Sequence, residues 1–211
     1  MKIHSVKFNF AMNMLLTVSN FLFPLITFPY VSRVLSPIGT GKVAFAYSIV
    51  SYFSIFAAFG VANYGIRACA QVRDDKEKLS KTVQEILLIN MVLMSFVYIV
   101  YFLGIVFVPE LKVEKTLFLI SGLNILFTIV GVEWLYKGIE QYFYITIRSI
   151  IFKLIAFLLV FTCVKTENDY SAYAFIIIFA TVGSGVVNLY NLRKIITIKY
   201  FSNYDFKRHL K

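Results

Sequence analysis

Residues 8–32 contain no Asp, Glu, Lys, Arg or His, an uninterrupted charge-free run of 25. At about 1.5 Å per residue such a run makes a helix of roughly 37 Å, more than the roughly 30 Å hydrocarbon core of a bilayer requires. The chain as a whole is 59% hydrophobic, with a mean hydropathy of +0.77. A soluble domain averages roughly 45–50% apolar. The run predicts a membrane-spanning helix with unusual features. Pro24 and Pro29 each remove a backbone donor and predict kinks, which lipid tolerates only where neighbours or water satisfy the freed carbonyls. At about 100° per residue, Asn9, Asn13, Asn20 and Thr27 fall within roughly 40° of one another. A polar stripe, two prolines and a closing Arg33 predict a helix that lines a wet interior, with the others packed around it.

Further charge-free runs occupy 43–66, 86–109 and 116–132, the last extending past Glu133 to Tyr136. The run 154–164 is only 11 residues long. It reaches spanning length if the helix begins near Tyr144 and Arg148 and Lys153 snorkel or face protein. The final run is 170–192. The pattern predicts an all-α polytopic membrane protein with six spans, at about 8–33, 43–66, 83–109, 116–136, 146–164 and 170–192. Residues 1–211 then form a single transmembrane lobe, with 193–211 as its basic cytoplasmic tail, and no soluble domain fits in the connections. The first run is too long for a signal-peptide core and no Ala-x-Ala site follows it, so it is expected to stay attached as the first span.

The net charge of +10 comes from 21 basic and 11 acidic residues. In a membrane chain it points to the positive-inside rule and anionic lipid, not to nucleic acid. With the N-terminus in the cytoplasm, the outer connections hold only Arg33, Lys42, Lys112, Lys115 and Lys165 of the 21, which places both termini inside. The segment 67–81 carries both signs and reads as a solvated connection; the tail alternates basic and aromatic residues, as a segment lying on an anionic surface does. Cys69 and Cys163 are placed near opposite faces and form no disulfide framework. His4 and His209 sit in the terminal tails, where a bland role is expected, and no metal constellation exists. There is no phosphate-binding glycine loop, nucleophile elbow or cofactor motif, so the chain reads as a non-enzyme without cofactors.

The candidate functional residues are polar groups at membrane depth, which are costly unless used. Arg33 either anchors the outer end of the first span or turns back into the bundle. Asn9 reads as a surface contact, and Asn13 and Asn20 as liners of a cavity. Asn124 and Thr128 share a face, as do Thr181, Ser184 and Asn188; Ala180 and Ser184 make close helix packing the stronger reading there. Glu133 is read as the only carboxylate inside a span. Its preferred role is an i, i+4 pair with Lys137, with ion coupling as the alternative. Arg67, behind Asn63, and Arg148 with Lys153 either mark the inner surface or present positive charge to an anionic ligand.

Several motifs carry a family resemblance. Residues 23–35, Phe-Pro-Leu-Ile-Thr-Phe-Pro-Tyr-Val-Ser-Arg-Val-Leu, followed by Pro37 and Gly39 to Gly41, resemble the first-helix signature of the bacterial polysaccharide-unit flippases, the Wzx-type O-antigen transporters. Residues 59–67, Phe-Gly-Val-Ala-Asn-Tyr-Gly-Ile-Arg, resemble their second span, and Arg-Asp-Asp-Lys-Glu-Lys-Leu-Ser-Lys (73–81) the loop after it. Glu-Trp-Leu-Tyr-Lys-Gly-Ile-Glu (133–140) and Tyr-Ile-Thr-Ile-Arg (144–148) resemble the fourth-to-fifth connection. Ser36, Ile38, Thr40 and Lys42 depart from the more acidic, glycine-bearing loop expected there.

The resemblance implies the multidrug/oligosaccharidyl-lipid/polysaccharide transporter fold: two six-helix lobes around a central cavity, working by alternating access. The chain corresponds to the N-terminal lobe, and a second lobe or a homodimer is expected to complete it. The implied cargo is a polyprenyl-diphosphate-linked oligosaccharide, moved across the inner membrane in surface polysaccharide biosynthesis. Arg33, Arg67 and Arg148 are the candidate cations, Asn13, Asn20 and Asn63 the polar liners, and Glu133 the ion-coupling group. Two alternatives stay open: an inactive lobe that binds lipid or a membrane partner, and a drug or cation exporter of the same superfamily.

Overall fold

The computed structural model describes residues 5–199 and 204–209, apart from the side chains of Ile129, Val130 and Lys207. Lys2, His4 and Lys211, on which part of the charge reading rests, lie outside the described residues. The chain order is α1 (Val6–Val34), α2 (Ser36–Ala58), α3 (Val61–Val72), α4 (Lys76–Phe107), α5 (Pro109–Val113), α6 (Lys115–Val130), α7 (Glu133–Gly138), α8 (Tyr142–Cys163) and α9 (Tyr170–Ile195). Short 3-10 turns occupy Glu167–Asp169 and Phe206–His209. No strand occurs among the described residues. Among the described residues, six helical stretches are long and apolar enough to cross a membrane, so the chain is a multi-pass membrane protein.

The ends of the helices follow local chemistry that hydropathy does not report. Ser5 caps α1, its hydroxyl accepting from the Phe8 N–H at 3.3 Å. Asp75 caps α4 by accepting from Glu77 and Lys78 N–H groups, both at 3.0 Å. The charged stretch that reads as a connection is therefore mostly helix: only 73–75 separates α3 from α4, and α4 starts ten residues before the charge-free run. As a result Glu85 belongs to a membrane-length helix and is fully buried, so Glu133 is not the only carboxylate in such a helix. The short fifth run lies inside a full-length helix, α8, which starts at Tyr142.

Two long helices break at the same end of the bundle. Phe59 (φ 35) and Gly60 (φ 75) take left-handed backbone between α2 and α3. Val132 (φ 43) does so between α6 and α7, a conformation that a β-branched residue adopts only under tertiary constraint. The two short helices beyond the breaks pack on each other at glycines. A Cβ on Gly65 would sit 2.6 Å from the Trp134 ring, and one on Gly138 would sit 2.8 Å from Cys69 Cβ.

With lipid outside, apolar burial drives little of the helix association, and close packing of small residues takes over. α6 packs against α2, α4 and α9, and α8 bridges α1 and α9. Gly122 receives the Tyr101 ring and Gly183 the Phe152 ring, while Gly131 and Gly185 bring α6 and α9 together. The outward faces carry Phe10, Phe21, Leu25, Phe56, Val92, Phe96 and Leu158, all well exposed. At the end opposite the two breaks, Lys42 and Glu114 pair at 2.6 Å, and the Tyr170 hydroxyl donates to Glu114 at 3.0 Å, tying α2, the α5–α6 link and α9 together. The Lys42 hydrogen bond holds the Glu114 carboxyl below its ordinary value.

Candidate functional site

A cavity of about 430 Å³ lies among α1, α3, α6, α7, α8 and α9, at the end of the bundle that carries the two breaks. Its α1 wall is Asn13, Leu16, Thr17 and Asn20, which follow one another at helical spacing. Arg148, Ser149 and Lys153 come from α8, and Thr181, Ser184 and Asn188 from α9. The broken helices bring Gly131, Glu133, Trp134 and Lys137 to the remaining side. Three cations and one carboxylate therefore line it.

Arg148 is buried, and one of its Nη groups donates to the Asn188 side-chain oxygen. Its other Nη lies 3.4 Å from a Glu133 carboxylate oxygen. Glu133 also pairs with Lys137 at 2.8 Å, so this carboxylate lies between two cations. Asn188 works in both directions: its amide nitrogen donates to the Gly131 carbonyl at 2.6 Å, an acceptor released by the break after α6. The Tyr136 hydroxyl donates to the Asn188 backbone carbonyl at 2.8 Å. Among the described residues, Arg148 Nε is buried without a hydrogen-bond partner.

Lys153 is bound differently. Its Nζ donates to Ser19 Oγ at 2.7 Å and to the Asn20 side-chain oxygen. Both acceptors are neutral, and no carboxylate of the described residues comes within 4 Å to form an ion pair. At about 1.5 Å per residue it stands roughly 17 Å along α8 from Tyr142, midway along that helix.

The polar stripe on α1 divides by depth. Asn9 is buried and donates to Glu140 at 3.4 Å, the same carboxylate that Arg73 reaches at 2.5 Å. Asn13 and Asn20 line the cavity, and Thr27 is buried and bonds back to the Phe23 carbonyl of its own helix at 3.0 Å. Of the candidate cations, Arg148 alone lines the cavity. Arg33 is exposed at the far end of α1, and Arg67 and Asn63 are exposed on α3, all three outside the lining. Thr128 lines the cavity and Asn124 does not. The sequence favours helix packing for Asn188, and for Lys153 either an inner-surface position or, with Arg148, a positive charge presented to an anionic ligand. The signal for both was there: an amide one turn beyond Ser184, and a lysine in the middle of an apolar run.

A second polar cluster joins the segment after α9 to α4. Glu85 accepts from Asp205 N–H at 2.7 Å, and its other oxygen meets Arg208 Nη2 at 2.7 Å and His209 Nε2 at 2.8 Å. The described part of the tail thus packs on α4 instead of lying apart from the bundle, and His209 is a bonded residue.

The model of the family described as polysaccharide biosynthesis protein matches residues 6–211. A protein of Escherichia coli (strain K12) named "Putative O-antigen transporter" is 26% identical over 171 residues, covering 81% of this chain and 41% of that relative. One of the same name from Shigella dysenteriae is 28% identical over 189 residues, covering 90% of this chain and 47% of that relative. The chain therefore spans less than half the length of these relatives. No solved structure gives a significant match. The motifs at 23–35 and 133–140, the six membrane-length helices of the described residues and a family match over nearly the whole chain lead to one conclusion: this chain belongs to the polysaccharide biosynthesis protein family.

Proposed function

We propose that the chain forms one wall of a translocation path for a polyprenyl-diphosphate-linked oligosaccharide. The path crosses the inner membrane of a bacterium, with both termini of the chain in the cytoplasm, and serves O-antigen or related surface polysaccharide synthesis. The observation that supports this best is the charge of the cavity, where Lys153 is held by neutral oxygens alone. A diphosphate cannot enter hydrocarbon without compensating cations and donors. Lys153 is free to exchange its neutral acceptors for phosphate oxygens, and the unpartnered Arg148 Nε adds a second donor. Asn13, Thr17, Asn20 and Ser149 supply hydrogen bonds suited to sugar hydroxyls. Three cations against one carboxylate argue against a cationic cargo.

The remaining candidates fit positions along such a path. Arg67 and Asn63 stand on the outward face of α3 near the inner mouth, and Arg33 would be met at the outer end. Glu133, between Arg148 and Lys137, is suited to coupling: a proton or cation taken up there would release Arg148 toward the substrate. Asn13, Thr17 and Asn20 are exposed on α1; the Thr17 hydroxyl bonds back to the Asn13 carbonyl and the Asn20 side-chain oxygen accepts from Lys153, but lipid offers nothing to the exposed amide groups that remain. A second lobe, or a second copy of this chain, would cover that face and complete the path.

The test is complementation of a strain lacking its polysaccharide-unit flippase, with the chain supplied alongside a matching second lobe. Rescue by the wild-type chain and its loss in Lys153→Gln and Arg148→Gln, at equal membrane abundance, are expected. Full rescue by the double variant would overturn the cationic-site reading. Full rescue by a chain shown to be monomeric would overturn the need for a second half. Failure with every second lobe would favour an inert lobe.

A further inference from the structure

Glu85 is a buried carboxylate that the cavity does not use. It belongs to the first turns of α4, and none of its surface is exposed. Within its own helix the nearest cation is Lys81, at 3.9 Å. Its close partners all come from the segment after α9: Asp205 N–H, Arg208 and His209. With the segment in place the carboxylate is fully covered, and every close partner it has comes from that segment, so the two surfaces match in charge and hydrogen bonding. Neighbouring contacts run the same way. Thr82 accepts from Arg208 at 2.8 Å, Gln84 accepts from the Tyr204 hydroxyl at 3.0 Å, and Glu77 pairs with Lys199 at 3.0 Å.

The segment also reaches α3. His209 Nδ1 lies 2.7 Å from the Tyr64 hydroxyl, and the two rings meet edge to face at 5.5 Å between centroids. A single imidazole thus connects α3 to the buried carboxylate on α4. α3 is a wall of the cavity, to which it contributes Ala62 and Ile66. It is joined to α2 through Phe59 and Gly60, both in left-handed backbone; the Phe59 N–H bonds back to the Ile55 carbonyl at 3.1 Å and the Gly60 carbonyl accepts from the Tyr64 N–H at 3.2 Å, so each of the two is tied to its own helix.

We infer that residues 204–209 are a strap which docks on Glu85 and holds α3 against α4, and that its release lets α3 swing about Phe59–Gly60 and widens the inner mouth of the cavity. Its role as a regulator of transport rests on the cavity being the transport site; the strap itself does not. The device needs no ligand to operate, so it can be observed without substrate.

Two measurements on the chain of residues 1–211 in membranes test it. Spin labels at Phe206→Cys and Ala70→Cys, in a background of Cys69→Ser and Cys163→Ser, report whether the strap is docked. A narrow distance distribution is expected, turning broad in the double variant Arg208→Ala, His209→Ala. In the second, a lone cysteine at Ile66 reports the cavity wall through its rate of reaction with a charged, membrane-impermeant thiol reagent. Release of the strap should raise that rate about fivefold or more, as local opening does. Tyr64→Phe, which removes one hydroxyl and keeps the ring, should raise it by less. A broad distribution in the undisturbed strap would overturn the docking. An unchanged rate at Ile66 with the strap shown to be free would overturn its hold on α3. Neither readout depends on transport, so failed complementation and a failed strap are separate results.

Discussion

Arg148 on α8 and Asn188 on α9 are joined side chain to side chain, and the same asparagine closes the exposed end of α6 through the Gly131 carbonyl. One amide therefore orients a buried guanidinium and satisfies a backbone group that a helix break released. Asn188→Ala leaves the Gly131 carbonyl unpaired and Arg148 with Glu133 as its remaining partner. Hydrogen bonds to charged groups contribute about 1.5–3 kcal/mol, and an orphaned buried carbonyl costs about 1–3 kcal/mol. The variant should lose roughly 3 kcal/mol or more of stability, measured by thermal or denaturant unfolding in mild detergent. Asn188→Gln, with the same groups on a longer stem, should lose less. Equal stability of Asn188→Ala and wild type would show that the pair carries no load.

Gly138 should not accept a side chain. A Cβ there would lie 2.8 Å from both Cys69 Cβ and the Ile66 carbonyl, and backbone cannot yield as a flexible side chain can. Overpacking of this kind costs about 1–3 kcal/mol. Gly138→Ala should lower thermal stability, and Gly41→Ala, which meets nothing within 4 Å, should leave it nearly unchanged.

The contact of Lys42, Glu114 and Tyr170 predicts a pH dependence. The Lys42 hydrogen bond depresses the folded Glu114 pKa, so the ionised carboxylate favours the folded state. Its contribution is present above the ordinary carboxylate pKa and is lost as the pH falls through the depressed folded value. The difference in Tm between wild type and Glu114→Gln should be constant near neutrality and shrink in acid. A difference that widened in acid would contradict the sign.

Topology follows from the distribution of basic residues. Reporters fused after Lys42, Lys112 and Lys165 should signal outside, and after Lys78, Gly138 and Lys211 inside. An inside signal at Lys165 would mean that α8 does not cross, and an inverted pattern throughout would reverse the orientation proposed above.

The helices were legible in the sequence because lipid punishes ionisable groups along a run. Their ends were not, because a helix continues through charged residues once it leaves the lipid. α4 runs through 76–85 under the Asp75 cap, whereas the charge-free run begins at Ile86 and the expected span at 83. The breaks at Phe59 and Val132 left no signal, since neither residue favours left-handed backbone. Arg148, Glu133, Asn13 and Asn20 were read as candidates from their depth alone, and all four line the cavity. The contacts of Glu85 with Arg208 and His209 link residues more than 120 positions apart, which no periodicity encodes.

Gly65 and Gly138 bring α3 and α7 so close that the two short helices are geared together. Glu133 and Lys137 ride on α7, and Arg148 does not. If α3 swings as inferred above, α7 would have to move with it, and the distance between Glu133 and Arg148 would change. The width of the mouth and the balance of charge inside the cavity would then answer to one lever.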